Sequence, residues 1–274
     1  MAGMTPESFA YLSKIIYEHS AIVLTAGKEY LVESRLSPLV TQHEFANIND
    51  YVARLKTTPF SAMHKEIIEA MTTNETSFFR DIHPFEAIKN EVLPEMVESR
   101  ASTRQLNIWS GACSSGQEPY SLAIMIREHF PMLSSWTVKI VATDLSEDVL
   151  KIAREGLYRP LDVNRGLPAA MMVKYFEQQG GHWQVKKEIR QMVEFRQMNL
   201  AGNWPPLPNM DIVLMRNVLI YFDQETKQGI LGKIRRVLKP DAPLFLGSAE
   251  TTFNLDESFK RVVMGKAAAY RACT

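Results

Sequence analysis

From Leu106 onward, short apolar runs alternate with amphipathic stretches, and no other feature of the chain constrains its fold as strongly. LNIWSGA, KIVATDL, VEFRQMN, DIVLMRN, PLFLGSA, KRVVMG and AAAYRA have the composition of strands, and helical patterns over 118–130, 146–154 and 224–238 separate several of them. Strand–helix alternation builds a parallel, doubly wound sheet with helices on its faces. Only about Gly265-Lys266 joins the last two runs. So short a link makes a tight hairpin, and the final strand is expected to be antiparallel.

Residues 156–192 are too many for one crossover. They contain REGLYRPLDVNRGLP, a helical PAAMMVKYF and then EQQGGHWQVKKEIRQ, where Gly180-Gly181 marks a turn. A small β-rich insertion is expected at about 177–192. Upstream the texture is helical. Thr5-Pro6-Glu7 combines a capping hydroxyl, a proline for the first turn and an acid, and Phe9, Leu12, Ile15 and Ile16 follow on one face. A second helix is expected from Lys28 towards Gln42, kinked or ended by Pro38. A third is expected behind Asn49 as its cap, and a fourth over about 60–71. The expected organisation is a helical domain at 1–72, a linker at 73–84 and a second domain at 85–274.

The chain has 274 residues, 46% of them hydrophobic, which is enough for a sizeable core. Its formal net charge is zero, whereas general nucleic-acid binders are usually basic, so no nucleic-acid partner is expected. No apolar run approaches the roughly 20 residues that span a bilayer, and no membrane insertion is expected. MAGMTPESFAYLSK lacks the basic start and apolar core of a signal peptide. The two cysteines, Cys113 and Cys273, form no CxxC pair. Together these features suit a reducing cytoplasm, with no metal site. No long apolar stripe is left over, so a monomer is expected.

Four stretches carry candidate chemistry. In WSGACSSGQEPYS, at 109–121, Gly111 and Gly116 allow a backbone turn and a close approach to a ligand. A phosphate cradle would place lysine where Gln117 stands, and Glu118 would repel phosphate. The loop suits a nucleoside carrying positive charge better than a pyrophosphate, although an ordinary strand-to-helix turn has the same composition. Asp144 ends the next strand, in VATDLS, where an acid accepts from ribose hydroxyls or caps the following helix. In RNVLIYFD, at 216–223, Asn217 lies at the ligand edge and Tyr221 offers a π-face to a cation, while Leu219, Ile220 and Phe222 suit a core. TTNETSFFR sets Asn74, Thr76 and Arg80 beside Phe78 and Phe79, which are expected to fold the linker onto the sheet edge.

Taken together, TTNETSFFRD, WSGACSSGQEPYS, VATDLS and RNVLIYFD closely resemble the CheR-type chemotaxis receptor glutamate methyltransferases, over nearly the whole chain. The resemblance implies a Rossmann-like, mostly parallel α/β sheet with a C-terminal antiparallel hairpin, a small all-α N-terminal domain and a small β insertion. It implies S-adenosylmethionine as cofactor, S-adenosylhomocysteine as product, and glutamate side chains of the cytoplasmic signalling domain of chemoreceptors as substrate. Carried over by motif, Asn74, Thr76 and Arg80 line the cofactor and active site. Glu118 meets the methionyl part, Asp144 holds the ribose, and Asn199 and Leu200 flank the adenine. Asn217 and Val218 approach the methionyl part, with Tyr221 beside the reacting centre. Arg80 and Tyr221 are the expected catalytic residues, Arg80 pairing with a substrate or cofactor carboxylate unless it forms an interdomain salt bridge instead.

Some members of the family bind a receptor's C-terminal tail peptide along the β insertion, and GGHWQVKKEIRQ offers an edge for that. One departure stands out. The second helix, which in the family often carries several arginines towards the receptor, has only Lys28 and Arg35 here, followed by Ser37 and Pro38. Two rivals remain at this point: a signalling regulator that binds S-adenosylmethionine with little catalysis, and a methyltransferase for small molecules or RNA.

Overall fold

The structure is a computed structural model that describes residues 3–273. The chain forms two compact units. One holds the chain up to Thr73 together with Tyr221–Thr226, and the other holds Asn74–Ile220 and the chain from Lys227 onward.

The first unit contains α1 (Pro6–Ser20), α2 (Glu29–Gln42), α3 (Ile48–Lys56) and α4 (Ala62–Ala70). The Thr5 hydroxyl accepts from the Ser8 N–H, and Pro6 opens α1. Pro38 lies inside α2 and does not end it. The cap of α3 is Asn47 rather than Asn49. Its Oδ1 accepts from the N–H groups of Asn49 and Asp50, so Asn49 lies inside the first turn. Leu12, Ile16, Val32, Leu36, Tyr51, Leu55 and Ile67 are fully buried and form this unit's core.

The second unit begins with α5 (His83–Ala87) and α6 (Leu93–Ser99), joined by a π turn at Ile88–Val92. Next come β1 (Gln105–Gly111), α7 (Gln117–His129), β2 (Thr137–Asp144), α8 (Glu147–Glu155) and β3 (Leu157–Tyr158). The insertion holds α9 (Pro160–Asn164), α10 (Ala169–Tyr175), β4 (Phe176–Gln179), β5 (His182–Val185) and α11 (Lys187–Arg190). The chain then runs through β6 (Val193–Gln197), β7 (Ile212–Met215), α12 (Gln224–Val237), β8 (Pro243–Leu246), β9 (Phe259–Met264) and β10 (Ala267–Ala272).

All seven apolar runs become strands of one sheet, ordered β6-β2-β1-β7-β8-β10-β9. The first five in that order pair in parallel, and β10 is antiparallel to both β8 and β9. The strands β1, β2, β7 and β8 are almost continuously buried, as expected for a sheet covered on both faces. The insertion folds as a three-stranded sheet, β3-β5-β4, which starts at Leu157 and ends at Val185. It therefore begins about twenty residues before the expected segment. Lys187–Arg190 is a helical turn, and the VEFRQ run leaves the insertion to pair with β2.

The linker is pinned to the second unit through its aromatics. The ring of Phe78 is fully buried and meets Tyr158 and Phe176 edge-on at 5.2 and 5.5 Å. Phe79 meets Phe85 at 5.2 Å, and its N–H donates to Ser121 Oγ at 2.9 Å. Gly166 passes so close that a Cβ there would lie 2.0 Å from the Phe78 carbonyl oxygen. Among the described residues, no helix is long and apolar enough to cross a membrane.

Candidate cofactor and active site

In the second unit, the carboxyl ends of β6, β2, β1 and β7 lie side by side, where open α/β sheets bind their ligands. The loop after β1 is held there against a steric cost. Ala112 and Ser114 take positive φ angles of 52° and 51°, and Gly116 stands at 93°. Non-glycine residues seldom adopt this region, and functional loops are where such strain collects. Gly111 packs against Met215, and a Cβ there would lie 2.3 Å from the flexible Cε end and push that side chain aside.

Asp144 fixes that loop. The N–H of Ser114 donates to Oδ2 at 2.8 Å, and the N–H of Ser146 donates to Oδ1 at 3.0 Å. The cap of α8 is Ser146, whose hydroxyl accepts from Val149, so Asp144 is not itself the cap. Asp144 is only 7% exposed. Burial pushes its carboxyl above the usual aspartate range, against the N–H donations from Ser146, Ser114 and Leu145. A carboxylate has about four lone-pair sites, so acceptor capacity is left for a ligand's hydroxyls. The Asp144 carbonyl also accepts from Met198, which brings the loop at Asn199 and Leu200 beside it. There the Asn199 side chain accepts from Ala201, and the carbonyl of Leu200 accepts from Trp204 Nε1 and Lys233 Nζ.

Asn74 joins the same cluster, because Ser114 Oγ donates to its carbonyl at 2.8 Å. Thr76 is half-buried in the linker. Arg80 is half-exposed and donates through Nη1 to the Glu75 carbonyl at 2.8 Å, leaving Nε and Nη2 without a hydrogen bond among the described residues.

Glu118 is not the open acid that the loop sequence suggests. It is 8% exposed and accepts from Ser110 Oγ at 2.8 Å and from Arg216 Nη1 at 2.8 Å. Arg216 Nη2 donates to the Arg80 carbonyl at 2.9 Å and to Asp81 at 2.7 Å, and its guanidinium lies 5.8 Å from the Phe85 ring centre. Arg216 thus ties the loop after β1 to the linker. The sequence reading passed over it, although an arginine directly after four buried strand residues was a signal that it must be paired.

Glu250 was also missed. One of its oxygens accepts from the N–H groups of Asn217 and Gly247, at 2.7 and 2.6 Å, and the other from Val218 and Ile220, at 2.9 and 3.3 Å. These bonds hold Asn217 at φ 59° and fix Val218 at the end of β7. Gly247 marks the tightness of the corner, since a Cβ there would lie 2.7 Å from both Asn217 Nδ2 and Glu250 Oε2.

Asn74, Arg80, Glu118, Asp144, Asn199, Leu200, Asn217 and Val218 are therefore linked within one unit by short bonds, and Thr76 lies on the same linker. Tyr221 is not in that unit. It ends a 3₁₀ turn at Leu219–Tyr221, and its carbonyl accepts from Val23 of the helical unit at 3.0 Å. In that same unit, Asp223 accepts from the Tyr17 hydroxyl at 2.6 Å. Arg35 of α2 donates to the carbonyls of Met71 and Thr72 and to the hydroxyl of Thr73, so it ties down the end of α4.

The geometry fits a nucleoside with a neutral or cationic attachment. The described residues offer a partly unsatisfied buried carboxylate, a strained small-residue loop and no cation directed at a phosphate. Comparison with known proteins agrees. Residues 7–72 match the CheR methyltransferase all-alpha domain, and residues 74–268 match the CheR methyltransferase SAM binding domain. A chemotaxis protein methyltransferase of Pseudomonas aeruginosa is 44% identical over 256 residues, covering 92% of each chain. One from Pseudomonas putida is 41% identical with the same coverage, and one from Borreliella burgdorferi is 37% identical over 91% of this chain and 89% of its own. With both domains matched in order and relatives aligned almost end to end, this chain belongs to the CheR methyltransferase family and is an S-adenosylmethionine-dependent methyltransferase.

Proposed function

We propose that this enzyme methylates glutamate side chains of chemoreceptors, forming glutamate methyl esters in sensory adaptation. The observation that carries the reading is the free donor capacity of Arg80 beside a loop that Asp144 holds in place. A cytoplasmic signalling domain is the substrate, and the enzyme works as a cytoplasmic monomer.

The residues divide the task as follows. Asp144 accepts from the ribose hydroxyls, and Asn199 and Leu200 flank the adenine. Asn74, Thr76, Asn217 and Val218 line the methionyl part. Glu118 acts there through its bond to Arg216 rather than as a lone charge. When bound, S-adenosylmethionine supplies a methyl carbon made electrophilic by the positive sulfur that carries it.

A glutamate side chain, with a reference pKa near 4.3, is already ionised at neutral pH, so no residue needs to act as base. The chain's contribution is alignment and exclusion of water, which can lower a barrier by several kcal/mol. Arg80 has two unoccupied donor positions with which to grip a carboxylate in bidentate fashion. Tyr221 is the second residue assigned to the transfer step. The HWQV run expected to offer an edge is the central strand β5, paired with both β3 and β4, so the outer edge of β4 is where we assign a receptor tail peptide adding as a strand.

Labelled methyl transfer to receptor signalling fragments tests the reading. Base-labile label on fragments with glutamate, and none on fragments with glutamine at those sites, is the expected result. Tight cofactor binding with no transfer to any fragment would favour a regulator instead.

A further inference from the structure

Every strand end from β6 to β7 carries an expected cofactor residue, but the ends of β8, β10 and β9 carry none. A cleft of about 420 Å³ opens there, between the Asp81–Pro84 turn, the loop after β8 and the β9–β10 hairpin. It lies close to the reaction site. Met215 pairs with Leu246, so Gly247 of the cleft is one strand spacing, about 4.8 Å, from the chain entering Arg216 and Asn217.

The charges lining the cleft are unequally satisfied. Asp81 accepts from Arg216, and Glu250 holds four backbone N–H groups. His83 faces Glu86 at 3.2 Å. Arg261 on β9 and Lys266 at the hairpin tip are exposed and have no hydrogen-bond or ion-pair partner among the described residues. Exposed cations are usually just a solvated face, but these two line one concavity whose own carboxylates are already occupied. An arginine fork and a lysine point charge lining one cleft match a carboxylate. A phosphate dianion suits the cleft less well, because Asp81 and Glu250 also line it. The thinness of the α2 basic face, where Arg35 is bonded to the end of α4, leaves the recognition of acidic substrate to another surface.

We propose that this cleft is a carboxylate subsite, in which Arg261 and Lys266 grip a second acidic side chain of the protein substrate while the methylated glutamate is presented at the end of β7. The inference rests on the glutamate-methylating function proposed above. The methionyl carboxylate of the cofactor has the same chemistry, and the test separates the two sources.

Steady-state transfer is measured for the wild type, Arg261→Gln, Lys266→Gln and the double variant. The substrates are a receptor fragment and a second fragment whose acidic residues, other than the methylated glutamate, are amides. Cofactor affinity is titrated in parallel. Both side chains are exposed, so loss of fold is not expected. The double variant should raise KM for the acidic fragment about five- to tenfold, as expected for losing two charge contacts. Its cofactor Kd should stay within about twofold, a shift well under one tenfold step, and it should no longer distinguish the two fragments. An unchanged KM against an active wild type would overturn the subsite. A raised cofactor Kd with KM unchanged would assign the cleft to the cofactor and also overturn it. A wild type inactive on every fragment would instead bring down the function on which the subsite rests.

Discussion

Asp144 and Glu250 are carboxylates near opposite ends of the same ligand edge, and each organises a loop through backbone N–H groups. Asp144 accepts from Ser114 and Ser146, with a further donation from Leu145, whereas Glu250 holds four, from Asn217, Val218, Gly247 and Ile220. A carboxylate offers about four acceptor sites. Glu250 is saturated and serves the fold, while Asp144 keeps capacity for a ligand. Residue type does not separate a binding acid from a structural one here, but the number of donors already committed to it does.

The largest effect expected from disturbing this arrangement is at Arg216, which joins the two halves of the edge through Glu118 and Asp81. Arg216→Met leaves Glu118 buried without its cation and should cost about 3–5 kcal/mol in chemical denaturation. A loss under 1 kcal/mol would mean that the pairing contributes little. Glu250→Gln comes next. It replaces a carboxylate by a weaker acceptor that can also donate, and about 1–3 kcal/mol of stability should go. Its cofactor affinity should fall only as far as Asn217 and Val218 shift, so a larger loss in binding than in stability would contradict a structural role.

Acidification separates the two kinds of acid further. Burial raises the Asp144 pKa, so the folded state holds that proton more tightly than the unfolded chain does. Above the raised value the buried charge subtracts from stability, and the penalty is relieved as pH falls through it. Ligand affinity runs the other way, because the ionised form is the better acceptor for hydroxyls. Cofactor binding should therefore weaken on acidification while the pH is still above the ordinary aspartate range, and Asp144→Asn should abolish that dependence. Titrations across pH check both points.

The smallest effect is at Glu194, on the strand beside β2. Its carboxyl is held down to about 2 by Arg196 and Lys139, at 2.5 and 2.6 Å. This stability is present above the usual glutamate value near 4.5 and is lost as pH falls from there through about 2. The group is exposed, so Glu194→Gln should cost less than about 1 kcal/mol at neutral pH and progressively less as pH falls towards 2, by thermal unfolding.

The sheet was legible because fully buried parallel strands are short apolar runs, and each of the seven became a strand. The hairpin at Gly265-Lys266 was legible from its length alone. The insertion was harder to bound, since Leu157–Tyr158 is a two-residue strand and VEFRQ has the same composition whichever sheet it joins. Around the candidate site, the residues within recognisable motifs were legible as candidates, but the partners that hold them were not. Arg216 lies inside a quoted motif and Glu250 outside all of them, and what each does depends on pairs 98 and 33 residues away in sequence. Glu118 illustrates the cost of that gap. Its charge was legible, but its neutralisation by Arg216 was not.

The most direct test is calorimetric titration of the wild type and Asp144→Asn with S-adenosylmethionine and S-adenosylhomocysteine at neutral pH, with the unfolding free energy of both proteins measured alongside. Binding should weaken by about ten- to a hundredfold in the variant, equivalent to about 1.4–2.8 kcal/mol, with a smaller change in stability. Equal affinity in the two proteins would contradict the assignment of Asp144 as the ribose acceptor and reduce it to a second Glu250, an acid that only shapes its loop.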